Sequence, residues 1–186
     1  MKLFYWNLCF ALFVAGLCAC SDSESPVGAE ENVSEENESD ENVFVDPRDS
    51  LVYRTVEIGG RTWMAENLNF QGKKGQLYLW DEATTACPDG WKLPSKADFD
   101  SLFAAVGGLA NAADSLISRG FISQINGGYY FMGYFSYFDQ YAYFWTSDEV
   151  RANNARSVMF ENGRSSASYD ETFEEFGLSV RCVKKL

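Results

Sequence analysis

The sequence predicts an α+β domain with two helices, an antiparallel sheet and hairpins. Three observations lead there. An alternating run, LVYRTVEI, meets RTWMAENL across Gly59-Gly60, the pattern of a β-hairpin. A strong helix signal, PSKADFDSLFAAVGG, follows. Beyond Phe121 the chain is strand-like and rich in aromatic residues. Strands, then helices, then strands indicate an α+β architecture rather than repeated βαβ units.

The first segment is not part of that domain. Residues 3–19 (LFYWNLCFALFVAGLCA) are apolar apart from Asn7 and follow Lys2, the pattern of a secretory signal. A spanning helix needs about 20 apolar residues and a flanking charge; here the run ends in Ala19-Cys20-Ser21-Asp22, which suits cleavage. Leu17, Cys18 and Ala19 ahead of Cys20 resemble the lipobox of bacterial lipoproteins, with Cys18 where Ala or Ser is commoner. The resemblance implies that Cys20 becomes the N-terminus and carries acyl chains such as palmitate. The membrane is then a partner, through that lipid, and the expected location is the cell envelope: the outer membrane, facing the periplasm or the exterior. Each buried CH₂ contributes about 0.8 kcal/mol, so more than one chain gives a durable anchor. An ordinary secretory signal with an incidental cysteine is the alternative.

Residues 20–46 read as the lipidated end and an acidic tether. The stretch 21–46 holds ten carboxylates, no Lys or Arg, and almost no apolar residue before Val43. It cannot bury enough surface to offset its ordering entropy. Its expected mean span is at least roughly 25 to 30 Å. Most of the net charge of −12 falls here: from Pro47 onward there are 17 acidic and 14 basic residues, near −3. No basic patch stands out, so nucleic acid is not an expected partner.

Of five cysteines, Cys9 and Cys18 leave with the signal and Cys20 is the anchor, which leaves Cys87 and Cys182. An even pair in an oxidising compartment predicts a disulfide. Closing a loop near 100 residues is worth about 4 to 5 kcal/mol on the chain-entropy model. Two buried free thiols are the alternative. The chain has no histidine, so a four-ligand zinc site has too few donors and no metal is expected.

The folded domain is expected over 47–186. After the hairpin, DEATTA (81–86) suits a short helix, ended by the turn residues Cys87-Pro88-Asp89-Gly90. Ser95 is the N-cap of the main helix, with Asp98 three residues on as a variant capping box. Phe99, Leu102, Phe103 and Val106 share one face, and Gly107-Gly108 end it. LANAADSLIS (109–118) suits a second, shorter helix. GGYYFMGYFSYFDQYAYFWTS divides into short strands and a loop at Asp139-Gln140. ARSVMF and FGLSVRCVKK are further strands, with a turn at Asn162-Gly163 and a polar loop between them.

YRTVEIGGRTWMAENLNF, CPDGWKLPSKADFDSL, FWTSDE and GLSVRCVKK occur in the order and spacing of the Fibrobacter succinogenes major paralogous domain, and the chain resembles that family from about Val52 to Lys184. The resemblance implies a C-type-lectin-like fold, and its two cysteines map onto Cys87 and Cys182. The Glu-Pro-Asn, Gln-Pro-Asp and Trp-Asn-Asp motifs of calcium-dependent sugar-binding lectins are missing.

Trp63, Trp80, Trp91 and Trp145 lie in these motifs and are expected in the core. The stretch Tyr129–Phe144 is aromatic on both faces, although alternation buries one. Tyr134, Tyr137 and Tyr141, near the Asp139-Gln140 break, are therefore candidates for stacking on a polysaccharide or packing against an envelope protein; an aromatic core with capped hydroxyls is the alternative. Ser165–Glu175 carries four carboxylates and reads as a solvated loop, since its spacing matches no EF-hand; a contribution to a calcium site is the alternative. Without histidine, every His-dependent triad is excluded. Formylglycine-generating enzymes, with a related fold, use a redox-active cysteine pair, whereas this pair is expected to be structural. The expectation is a non-catalytic binding or adhesion lipoprotein without cofactor, with a structural envelope component as the alternative.

Overall fold

The computed structural model describes residues 42–71 and 76–186. The signal, Cys20 and the tether up to residue 41 lie outside the described residues.

The fold begins inside the segment read as tether. Strand β1 (Val43–Val45) pairs antiparallel with β2 (Val52–Ile58), Val45 opposite Val52. Asp46 lets the acidic run end in a sheet. Its carboxylate is fully buried and accepts from Arg48 Nε at 2.9 Å, Nη2 at 2.7 Å and the backbone N–H at 3.0 Å. Arg48 also donates to the Ala86 carbonyl at 2.8 Å and lies 3.7 Å over the Phe70 ring.

Gly59 and Gly60, at φ 63° and 70°, turn the chain from β2 into β3 (Arg61–Met64). Positive φ at both turn positions is what a two-residue hairpin demands and glycine supplies without strain. Then come β4 (Leu77–Tyr78), helix α1 (Trp80–Ala86) and β5 (Trp91–Lys92).

Helix α2 (Lys96–Ala105) starts at the expected N-cap. Ser95 Oγ accepts from the Asp98 N–H at 3.2 Å, and Asp98 Oδ2 accepts from the Ser95 N–H at 2.8 Å. Asp98 also holds Arg61 at 2.8 Å and Lys92 at 2.7 Å, so one carboxylate joins the helix start to β3 and β5. The stretch 109–118 is a 3-10 turn (Leu109–Asn111) followed by α3 (Ala112–Ser118). With α1, the short helix expected at 81–86, there are three α-helices among the described residues. None is long and apolar enough to cross a membrane.

The later strands are β6 (Tyr129–Phe131), β7 (Tyr134–Ser136), β8 (Tyr141–Arg151), β9 (Asn154–Glu161), β10 (Ala167–Phe173), β11 (Leu178–Ser179) and β12 (Val183–Lys184). One sheet runs β1-β2-β3-β12-β5, a second β10-β9-β8-β11-β4, and β6-β7 form a separate hairpin. Two expectations are corrected here. The second sheet is mixed, because β11 lies parallel to β8 with Ser179 opposite Phe144. Most of Ser165–Glu175 is strand β10, paired along its length with β9, rather than a loop.

The stretch FGLSVRCVKK supplies strands to both sheets. Residues 178–183 are buried without alternation, because the chain passes from one sheet to the other there. Cys182 lies in that passage and is bonded to Cys87 at the end of α1, with Cα atoms 5.9 Å apart. Around the bridge pack Met64, Leu68, Tyr78, Trp91, Trp145 and Val180. A second cluster sets Phe99, Leu102 and Phe103 of α2 against Ala142, Phe144, Val158 and Phe160 of the sheet, with Trp63 and Phe121. Trp63, Trp91 and Trp145 are buried. Trp80 is half-buried and donates its indole N–H to the Thr146 carbonyl at 2.9 Å.

Candidate ligand-binding surface

Strand β8 explains how both faces of an aromatic strand are used. Ala142 and Phe144 enter the core, while Tyr141 and Tyr143, on the opposite face, are half-buried. The β6–β7 hairpin lies against that second face. Its turn, Met132-Gly133, has φ 48° and 95°, again positive at both positions. Phe131 and Tyr134 are cross-strand partners and so share a face.

The rings on this side form a continuous chain. Tyr137 lies 5.7 Å from Tyr129 and 5.5 Å from Tyr141, and Tyr143 lies 5.8 Å from Tyr141 and 6.0 Å from Tyr129. Tyr129 is 5.0 Å from Phe176, which stacks on Phe131 at 4.2 Å and continues to Phe173 at 6.4 Å. These are ordinary separations for offset and edge-to-face aromatic pairs. Tyr134 is 75% exposed, Phe173 58%, Phe138 54% and Tyr137 49%.

The structure thus brings Tyr137 and Tyr141 into contact and sets Tyr134 beside the hairpin turn. Tyr129, Phe131 and Tyr143, from the same aromatic stretch but not named as candidates, complete the surface with Phe173 and Phe176, which lie outside that stretch. Phe173 and Phe176, apolar residues flanking the acidic pair Glu174-Glu175, were the available signal.

A small recess of about 170 Å³ opens among Tyr129, Tyr143, Phe173 and Phe176, with Asp170 and Glu171 on its wall. Burial, and then the nearby Asp170 charge, push the Tyr143 hydroxyl up to about 12, so it stays protonated at neutral pH. A protonated phenol both donates and accepts. Glu171 is tied to Arg151 at 3.4 Å. Flat apolar rings beside hydroxyl and carboxylate groups suit the alternating apolar and hydroxyl faces of a sugar, or a protein side chain.

Among the described residues, no group of three or more His, Cys, Asp or Glu side chains is placed to hold a metal ion. Cys20, the expected lipid site, lies outside the described residues. No curated protein and no solved structure matches the chain. The model of the Fibrobacter succinogenes major domain matches residues 69–184, more than half of the sequence and both bridged cysteines. The chain belongs to the Fibrobacter succinogenes major domain family.

Proposed function

We propose that this is a lipid-anchored, surface-facing binding or adhesion protein without catalytic activity. Its folded domain is C-type-lectin-like, and its aromatic surface takes a polysaccharide or an envelope protein. The observation that carries this is the run of partly exposed rings from Tyr137 through Tyr129 and Phe176 to Phe173. Contiguous exposed apolar patches are uncommon on monomeric proteins unless something binds there. The anchor is supported by the signal-like segment 3–19 and the lipobox-like residues ahead of Cys20. The absence of histidine and the joining of Cys87 to Cys182 favour a module that binds rather than reacts.

The full chain, purified in detergent, is tested on immobilised polysaccharides and envelope proteins beside a variant carrying Tyr134→Ala, Tyr137→Ala and Tyr141→Ala. Loss of retention with the fold intact supports the proposal. Equal retention removes the aromatic surface as the site and leaves a structural envelope role. Globomycin treatment and Cys20→Ala test the anchor: both are expected to release the protein from the membrane fraction, and an unchanged mass and partition would refute lipidation.

A further inference from the structure

Arg181 is buried, 4% exposed, in the passage between the two sheets. Its Nε and Nη2 donate to Asn67 Oδ1, at 3.2 and 2.5 Å, and its Nη1 donates to the Phe121 carbonyl. The guanidinium carbon lies 4.9 Å from the Phe121 ring centre and 5.2 Å from that of Phe144. Every one of these partners is neutral. Among the described residues no carboxylate is within ion-pair distance of Arg181, whereas Arg48, Arg54, Arg61, Arg151 and Arg164 each have one. A buried charge without a counter-charge is costly, and burial pulls this guanidinium down to about 9. It is still a cation at neutral pH.

Arg181 is also part of a pocket wall. With Phe144 it lines a cavity of about 340 Å³ whose other walls carry Asn67, Asn69, Ser123, Gln124 and Asn126. The wall's one carboxylate, Glu66, is held by Arg54 through both the side chain and the backbone N–H. The pocket therefore holds one positive charge that has no ion-pair partner among the described residues, set among amide and hydroxyl groups, with Glu66 acting on it only through space. Its volume is at the small end for ligand sites and fits one sugar ring better than a chain.

We propose that this pocket binds a small hydroxylated carboxylate, the chemistry of a uronic-acid residue, with the carboxylate neutralising Arg181 and the hydroxyls met by the amide walls. Interactions of a carboxylate with a guanidinium are stronger than neutral ones, and since Asn67 Oδ1 occupies the Nε–Nη2 edge the carboxylate acts on Arg181 as a counter-charge rather than as a bidentate partner. The site is separate from the tyrosine surface and does not depend on it.

Calorimetric titration of the full chain in detergent, with glucuronate, glucose and acetate as probes, tests this. Glucuronate is expected to bind saturably, glucose and acetate each about tenfold or more weaker, since one lacks the charge and the other the hydroxyls. Arg181→Met is expected to abolish the preference for glucuronate over glucose. Ser123→Trp, at an exposed wall position, fills the pocket without touching Arg181 and is expected to weaken glucuronate by about tenfold or more. It decides the matter if Arg181→Met does not fold. No saturable glucuronate binding, equal affinity for glucose, or unchanged binding in Ser123→Trp overturns the proposal.

Discussion

A Cβ on Gly128 would overlap the carbonyl oxygen of Ser136, and would lie 2.8 Å from the Tyr137 carbonyl carbon and 2.9 Å from the Phe138 nitrogen. All three are backbone atoms, so no side chain can swing aside. Gly128 also has φ 52°, a conformation that costs other residues energy. The segment that carries Tyr137 therefore passes directly over this glycine. It is held there by hydrogen bonds at 2.8 Å from Gly127 N–H to the Phe138 carbonyl and from Gly128 N–H to the Tyr141 carbonyl. Gly128→Ala is expected to cost roughly 2 kcal/mol or more and to displace the Tyr137 ring. Urea unfolding and tyrosine fluorescence measure both. An unchanged midpoint would mean that the close passage does not exist.

The Cys87–Cys182 bridge spans 95 residues and closes most of the domain. Replacing both cysteines by serine is expected to lower stability by about 4 to 5 kcal/mol on the chain-entropy model. Non-reducing mass spectrometry of exported protein checks the bond, and urea midpoints with and without reductant check its contribution. Two free thiols in exported protein would contradict the pairing.

Two carboxylates make the fold acid-sensitive. At Asp46 the Arg48 hydrogen bonds outweigh burial and hold the carboxyl below its ordinary value. At Asp98 burial pushes the carboxyl up, but hydrogen bonds from Lys92 and Ser95 together outweigh it and leave it lowered. A lowered native value means stability that is fully present above the unfolded value, about 3.9, and lost as pH falls through the native one. The urea midpoint is therefore expected to fall below about pH 4 from these groups. Asp98→Asn is expected to cost roughly 2 kcal/mol at pH 7, discounted because Lys92 is partly exposed, and the gap to wild type should narrow as pH drops. A gap that stays constant down to pH 2 would exclude Asp98 as a source of acid sensitivity.

What the sequence made legible was what short-range chemistry decides. Gly59-Gly60 required a tight hairpin, Ser95 with Asp98 a helix start, and the leftover pair Cys87 and Cys182 a bridge; all three are present. What it hid depends on distant partners. The parallel contact of Ser179 with Phe144 and the division of FGLSVRCVKK between two sheets follow from burial on all sides, which erases alternation. Strand β10 carries Asp170 and Glu171, and its acidity masked a strand whose pairing with β9 is set across the sheet. In the candidate site, Tyr137 and Tyr141 were visible beside a chain break, but Phe176 reaches Tyr129, the ring beside Tyr137, only because β11 returns next to β8.

The start of the domain supplies the last prediction. Phe44 of β1 packs its ring 5.0 Å from Trp91 of β5, and Asp46 is buried against Arg48. A chain shortened to begin at Pro47 loses the half-buried phenylalanine and leaves Arg48 with the Ala86 carbonyl and the Phe70 ring but without its ion-pair partner Asp46. Compared with one beginning at Asn42, it is expected to be less stable by roughly 2 to 3 kcal/mol, most of it from the phenyl burial and the rest from the broken ion pair. Asp46→Asn in the longer chain isolates the second contribution, because it removes the charge and keeps the strand. Matching urea midpoints for the two lengths would make β1 an ornament on the sheet. A difference that Asp46→Asn reproduces in full would assign the whole effect to the ion pair and none to Phe44.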